Sequence, residues 1–357
     1  MKKREAREVL SEYKGLTTKR KTFLLILVLL IIAVIFLRTL KGGPLASFED
    51  SLKAFMSYFG FNVGQVSELA KTAVWSIRLP RSLFAFMAGC ALGVAGAIMQ
   101  VVVRNPLASP YTLGISAAAG FGAALAIVLG VGVMTTSGSL IIIVNAFIFA
   151  MIATIIVLGI SALRGATPES MILAGIAMLY LFSSLTSLLE YLSETYALRD
   201  VVFWLLGDLG RYTWEKIGIW FMILLISMPI IMAKLWDYNL LMAGDDVAKG
   251  LGVNVKVLRL SSMALASFIT AAVICFTGVI GFVGLVGPHM VRMIIGADNR
   301  YVIPASALAG GLLLEVADIL AFEVMPPTVL PIGIITSLMG VPLFLYLLLR
   351  RGRREVW

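Results

Sequence analysis

Apolar residues run along this chain in long uninterrupted blocks, and charged residues gather between them. The clearest block, residues 83–103, is preceded by Arg78, Pro80 and Arg81 and ends in a polar, proline-broken turn, 104–110. A helix needs about 20 apolar residues to cross a bilayer. Strands of a membrane barrel would alternate in polarity, and these blocks do not. Backbone groups in lipid must also be satisfied within their own segment, which again favours helices. The pattern therefore predicts an all-α polytopic membrane protein. It has about ten transmembrane helices, near 23–40, 79–103, 111–133, 140–163, 170–189, 217–235, 257–276, 282–295, 302–322 and 330–349. Residues 105–163 carry no charge and must hold two of these spans, with the break at Met134-Thr135-Thr136-Ser137-Gly138-Ser139.

Two segments fall between spans. Residues 191–214 read as a short helix on the outer interface, with Trp204 and Trp214 as belt residues. Residues 237–256 fall on the inner side and contain a short helix. There an acidic residue is placed to cap the start and Gly252 to end it.

Composition agrees with this class. Hydrophobic residues make up 60% of the 357 and charged residues 14%, against about 45–50% and 25% in soluble domains. Mean hydropathy is +0.98. The net charge of +9 is a topology signal: with both termini cytosolic, 20 of the 29 Lys and Arg residues lie inside, as the positive-inside rule requires. A nucleic-acid interface would need a soluble basic face, and none is legible. The expected domains are a basic cytosolic segment 1–22, a single transmembrane domain 23–350 and a basic tail 351–357. The first apolar block lacks a small-residue cleavage site and reads as a retained helix. Cys90 and Cys275 both sit in apolar blocks and read as packing residues.

Few residues carry candidate chemistry. Arg78 and Arg81 lie at an outer mouth, either as snorkelling anchors or as docking points for an acidic partner. Asn105 and Leu107 form one inner turn, and Pro168 and Glu169 open the helix after a second. His289 is the only histidine; following Pro288 near a span end, it reads as structural, and one histidine cannot build a metal site. Glu315 and Asp318, at i and i+3, are the carboxylates placed inside a span. Such charges cost about 2.5–3.5 kcal/mol at the bilayer centre. Glu315 is therefore expected to line a pore or subunit contact, to pair with a cation or to be protonated, and Asp318, nearer the outer end, to line the pore beside it or to be wet. Two carboxylates on one hydrated vestibule would favour cationic or neutral cargo over a free oxyanion.

In order along the chain, the motifs match a family. They are R-L-P-R at 78–81, G-A-x-x-Q at 96–100 and N-P-L-A-x-P-x-x-L-G at 105–114. L-A-G at 173–175, W-x-x-G at 204–207 and G-D-x-x-A-x-x-L-G at 244–252 follow. The last are G-x-I-G-F-V-G-L-x-x-P-H-x-x-R at 278–292, A-D at 317–318 and L-P-I-G-I-I-T-x-x-x-G-x-P at 330–342. The chain resembles, from about 23 to 350, the permease subunit of binding-protein-dependent ABC importers for iron-siderophores, haem and vitamin B12. The resemblance implies a homodimer with one pore at its axis, two cytosolic ATPase subunits and an extracytoplasmic substrate-binding protein. It implies docking of that protein by Arg78 and Arg81. It also implies coupling to the ATPase through Asp245, Asp246, Ala248, Leu251 and Gly252, and an inner gate at Asn105, Leu107, Pro168 and Glu169. No cofactor is expected in this chain, ATP and magnesium belonging to the partner ATPase.

Three positions depart from the family pattern. Phe322, followed by Glu323, stands where a docking arginine is usual. Val329 replaces a glutamate, and Glu315 replaces an apolar residue. The chain has no GxxxxGK[ST] phosphate loop, so the expectation is a non-enzymatic permease in the cell membrane that moves a metal chelate by alternating access. Molybdate or tungstate is the alternative cargo. A secondary transporter using Glu315 and Asp318 as ion sites is the alternative class.

Overall fold

The computed structural model describes residues 2–41, 45–132 and 138–350, with side chains from Tyr13 onward except at 347, 348 and 350. Its regular elements are helices. In chain order they are α1 (Lys2–Leu40), α2 (Phe48–Tyr58), α3 (Glu68–Lys71), α4 (Leu79–Val103), α5 (Ile115–Leu129), α6 (Ser139–Leu163), α7 (Pro168–Leu192) and α8 (Thr195–Leu205). There follow α9 (Trp214–Met232), α10 (Leu235–Ala243), α11 (Asp245–Gly250), α12 (Val255–Thr277), α13 (Val283–Ile295), α14 (Asn299–Glu323) and α15 (Ile332–Arg350). Seven helices among the described residues are long and apolar enough to cross a membrane, and α5, α13 and α15 are shorter apolar helices. The protein is a polytopic α-helical membrane protein.

Helix α4 is the post around which the others stand. Every residue from Met87 to Val103 is buried. Gly89, Gly93 and Gly96 make this approach feasible, because they lie on one helix face at i, i+4 and i+7. A Cβ on Gly93 would sit 2.1 Å from the Ser306 carbonyl oxygen of α14, and one on Gly96 1.8 Å from that of Gly284 on α13. Small residues let backbones touch where lipid offers no hydrophobic drive.

The second span starts earlier than its apolar block. The helix runs unbroken from Glu68 to Val103 through a π-helical turn, Thr72–Arg78, in which the Leu79 N–H reaches the Val74 carbonyl. Pro80 explains the widened turn: it has no N–H to donate, and its ring crowds the carbonyl four residues back. The third span is shorter than expected. The Ser109 and Thr112 side chains close a turn ahead of the helix, and the left-handed Gly114 (φ +75°) and Gly130 (φ +64°) bound α5. Ala108, Ser109 and Pro110 are buried, where irregular backbone is tolerated at membrane depth. The expected break at 134–139 lies outside the described residues except for Gly138 and Ser139, which open α6. The tail 351–357 also lies outside them. Helix α1 passes through position 22 without a break.

Trp204 is not a belt residue. It is buried in the main core, because α8 turns it inward, where its carbonyl lies against Gly278. Trp214 is half exposed and donates its indole N–H to the Trp75 carbonyl at 3.1 Å.

Candidate functional site

Side-chain chemistry gathers at opposite ends of the bundle. At the end predicted to face outside, α1, α4 and α14 bring four charges together. Arg38, in the last turn of α1, donates through Nη1 to Glu315 at 2.9 Å and also pairs with Asp318. Arg81 grips Asp318 with two bonds, from Nε at 3.0 Å and Nη2 at 2.8 Å. The Ser82 hydroxyl donates to Glu315. Glu315 is 1% exposed and Asp318 0%. Two arginines thus face two carboxylates and the cluster is neutral.

This arrangement corrects two expectations. Glu315 and Asp318 do not border an open hydrated vestibule of this chain; they lie inside the subunit against α1 and α4. The argument that their charge selects cationic or neutral cargo therefore has no basis. Arg81 does not project freely either. Asp318 holds it and its guanidinium lies 4.3 Å over the Phe322 ring, which gives a physical use to the phenylalanine standing where an arginine is usual. Glu323 pairs with Lys41. Arg78 is held more lightly, by one bond of 2.9 Å to the Ser51 hydroxyl. These side chains line a groove of about 760 Å³, which Phe48 and Leu45 complete on its apolar side.

At the opposite end lie the two turns and the short helix. The Asn105 side chain accepts from the Leu107 N–H at 2.9 Å, which closes the first turn, and Leu107 is exposed. Thr167 caps α7 by accepting from the Ser170 N–H at 3.2 Å, so Pro168 stands at the first helical position and Glu169 projects beside it. Both turns hold a non-glycine residue in the left-handed region, Arg104 at φ +50° and Ala166 at φ +55°.

Helix α11 forms where the loop pattern predicts it, with Gly252 left-handed at φ +88° just beyond its end. Its cap differs from expectation. Asp245 makes no capping bond; its carboxylate is taken by Arg259 at 2.7 and 2.8 Å and by Arg104. Charge-assisted paired bonds of this kind are about twice as strong as neutral ones; the cap position itself is Gly244, which has no side chain to bond with. Ala248 is fully buried, while Asp246, Val247 and Leu251 point away from the bundle.

Between α13 and α14, Asp298 gathers Arg20 of α1 at 3.0 Å, Asn239 of α10 at 3.0 Å and Arg300. Burial pushes its carboxyl pKa up, but hydrogen bonds from Arg300 and Asn239 outweigh this and hold it below the ordinary value of 3.8. His289 is buried beside Phe344. No group of three or more metal-ligating side chains occurs among the described residues.

Sequence reasoning missed Arg38 and Arg259. A lone arginine at the end of the first span was the available signal for Arg38, but its partners are 277 and 280 residues away.

Residues 24–350 match the model of the FecCD transport family. The chain belongs to that family. It is accordingly the permease component of an ABC transporter and carries out no bond chemistry of its own. Among relatives, it is 42% identical over 354 residues to a Methanocaldococcus jannaschii protein named as an ABC transporter permease, covering 97% of this chain and 99% of that protein. It is 39% identical over 283 residues to the hemin transport system permease HmuU of Yersinia pestis, covering 79% and 85%. A solved structure, described as an inward-facing conformation of a metal-chelate type ABC transporter, superposes with a TM-score of 0.80 at 29% identity, covering 92% of this chain and 99% of that one.

Proposed function

We propose that this FecCD-family chain is the membrane permease of an ATP-driven importer that brings a metal chelate of the siderophore, haem or B12 class into the cell. The cargo class rests on what the hemin permease and the metal-chelate transporter are named for. In this reading ten spans place both termini in the cytosol, two copies enclose one pathway, and two ATPase subunits bind from the cytosol. A substrate-binding protein docks outside on the groove bordered by Arg78 and Arg81. The turns at Asn105 and Leu107 and at Pro168 and Glu169 form the inner gate.

The observation that carries the proposal is the shape of the 244–252 segment. It presents Asp246, Val247 and Leu251 outward from a helix whose root is held by Asp245 and buried Ala248. A carrier powered by an ion gradient has no use for such a surface. The ion-site alternative is weakened further because Glu315 and Asp318 are already neutralised by Arg38 and Arg81.

The test is copurification with the cognate ATPase, followed by Ala248→Pro. Proline removes the Ala248 N–H bond to the Gly244 carbonyl, 2.9 Å in the native chain, at about 3 kcal/mol in a helix interior. Cargo-dependent ATPase stimulation and uptake should both fall in the proline variant while the membrane domain stays folded. Coupled uptake at the native rate would refute the role of α11. Competition among haem, cobalamin, a ferric siderophore and molybdate then fixes the cargo class.

A further inference from the structure

Arg259 lies near the start of α12, 2% exposed, and three separate segments converge on its guanidinium. Nε donates to the Val102 carbonyl at 3.2 Å, at the end of α4. Nη1 donates to the Ala166 carbonyl at 3.4 Å, in the turn before α7, and to Asp245 at 2.7 Å. Nη2 donates to the other Asp245 oxygen at 2.8 Å. Arg104, at the end of α4, closes the circuit: it pairs with Asp245 and donates to the Leu241 carbonyl at 2.8 Å.

We infer that Arg259 is the positioning residue through which movement of α11 reaches both inner turns at once. The inference rests on the proposed coupling role of α11. Val102 is among the last four residues of α4, whose carbonyls have no partner within the helix. Ala166 stands in a turn and holds a left-handed backbone that disfavours any residue with a Cβ. One planar guanidinium bonds the last turn of α4, which leads into the first inner turn, and the Ala166 carbonyl of the second, while its remaining edge grips the first residue of α11. A force that shifts α11 moves Asp245. Arg259 then either carries the two turns along or releases their carbonyls together. In both cases the turns bearing Leu107 and Glu169 respond as a pair, although no direct contact between them is required. Lysine could not reproduce this, since a single ammonium cannot present a flat fork to a carboxylate and two carbonyls.

A plain folding staple would use the same bonds, so the experiment must read motion. The intact complex with its ATPase is reconstituted in nanodiscs, with single cysteines at Leu107→Cys or Glu169→Cys. Native Cys90 and Cys275 are buried and give little background. The rate of modification by a water-soluble thiol reagent is measured with and without ATP, in the native background, in Arg259→Lys and in Asp245→Asn. The native complex should show an ATP-dependent change at both sites. Each variant should assemble and lose that change at both sites together, by about fivefold or more. An undiminished response in the assembled variants would overturn the inference, as would loss at one turn only. Failure of both variants to assemble would make the cluster a folding staple and overturn it too. Failure of the native chain to bind an ATPase would instead refute the underlying functional reading.

Discussion

Removing the Arg38 guanidinium tests the buried charge cluster most directly. Arg38→Met keeps the length and apolar stem but withdraws one of two positive charges from a site where Glu315 and Asp318 are nearly solvent-free. The loss falls unevenly. Asp318 keeps both bonds from Arg81, while Glu315 keeps only the Ser82 hydroxyl. Breaking a buried pair by removing one partner costs about 3–5 kcal/mol, or roughly two to three and a half powers of ten in the folded-to-unfolded ratio. Because the stranded charge sits on Glu315, adding Glu315→Gln should return at least about 2 kcal/mol: the amide accepts the same hydroxyl without a net charge. Equilibrium unfolding in mixed micelles, read by tryptophan fluorescence, would complete the cycle with the two single variants. Destabilisation by Arg38→Met of under about 1 kcal/mol, or no recovery in the double variant, would refute the uneven division of charge argued here.

Other consequences are as specific. Gly93→Ala places a methyl against the Ser306 backbone and should lower the midpoint of thermal unfolding by a shift worth about 1–3 kcal/mol; Gly15→Ala, which meets nothing, serves as the control. Arg78→Glu should weaken capture of the substrate-binding protein with little loss of stability, measured by surface-immobilised binding at two salt concentrations. Arg81→Glu should instead destabilise the permease, because it sets a carboxylate beside Asp318. The carboxyl of Asp298 is held below its ordinary value, so its contribution to stability is complete above that value and is lost as pH falls through the lower, folded one. Hydrogen exchange around 296–300, corrected for intrinsic rate, should thus be flat between about pH 5 and 8 and rise only below about pH 4.

Most of the membrane fold was legible because lipid imposes a coarse rule that a linear reading can apply. The blocks at 140–163, 257–276 and 302–322 fall within a few residues of α6, α12 and α14. The misreadings came where backbone geometry intervenes. The second span extends back to Glu68 through a π-turn ahead of Pro80, and the left-handed Gly114 and Gly130 cut α5 short at both ends. The site was less legible for another reason. Asp245 looked like a cap because neighbouring residues are all that local pattern can weigh. Its true partner, Arg259, is 14 residues on, and Arg104 lies 141 back. Phe322 reads along the chain as a lost docking group, whereas in the fold its ring is the surface on which Arg81 stacks.

The pairing of Arg38 with Glu315 also bears on how the chain is made. Ribosomes deliver α1 to the membrane long before α14 exists, since 277 residues separate the two partners. Throughout that interval Arg38 must stay at the water boundary, and α1 waits as a span whose final depth is unset. Synthesis of α14 supplies two carboxylates at once and lets the arginine sink. A helix made well before its partner is therefore locked only after that partner arrives. A chain truncated before α14 carries a persistent, unburied cation in its first span, a mark that membrane quality-control proteases could read as incomplete assembly.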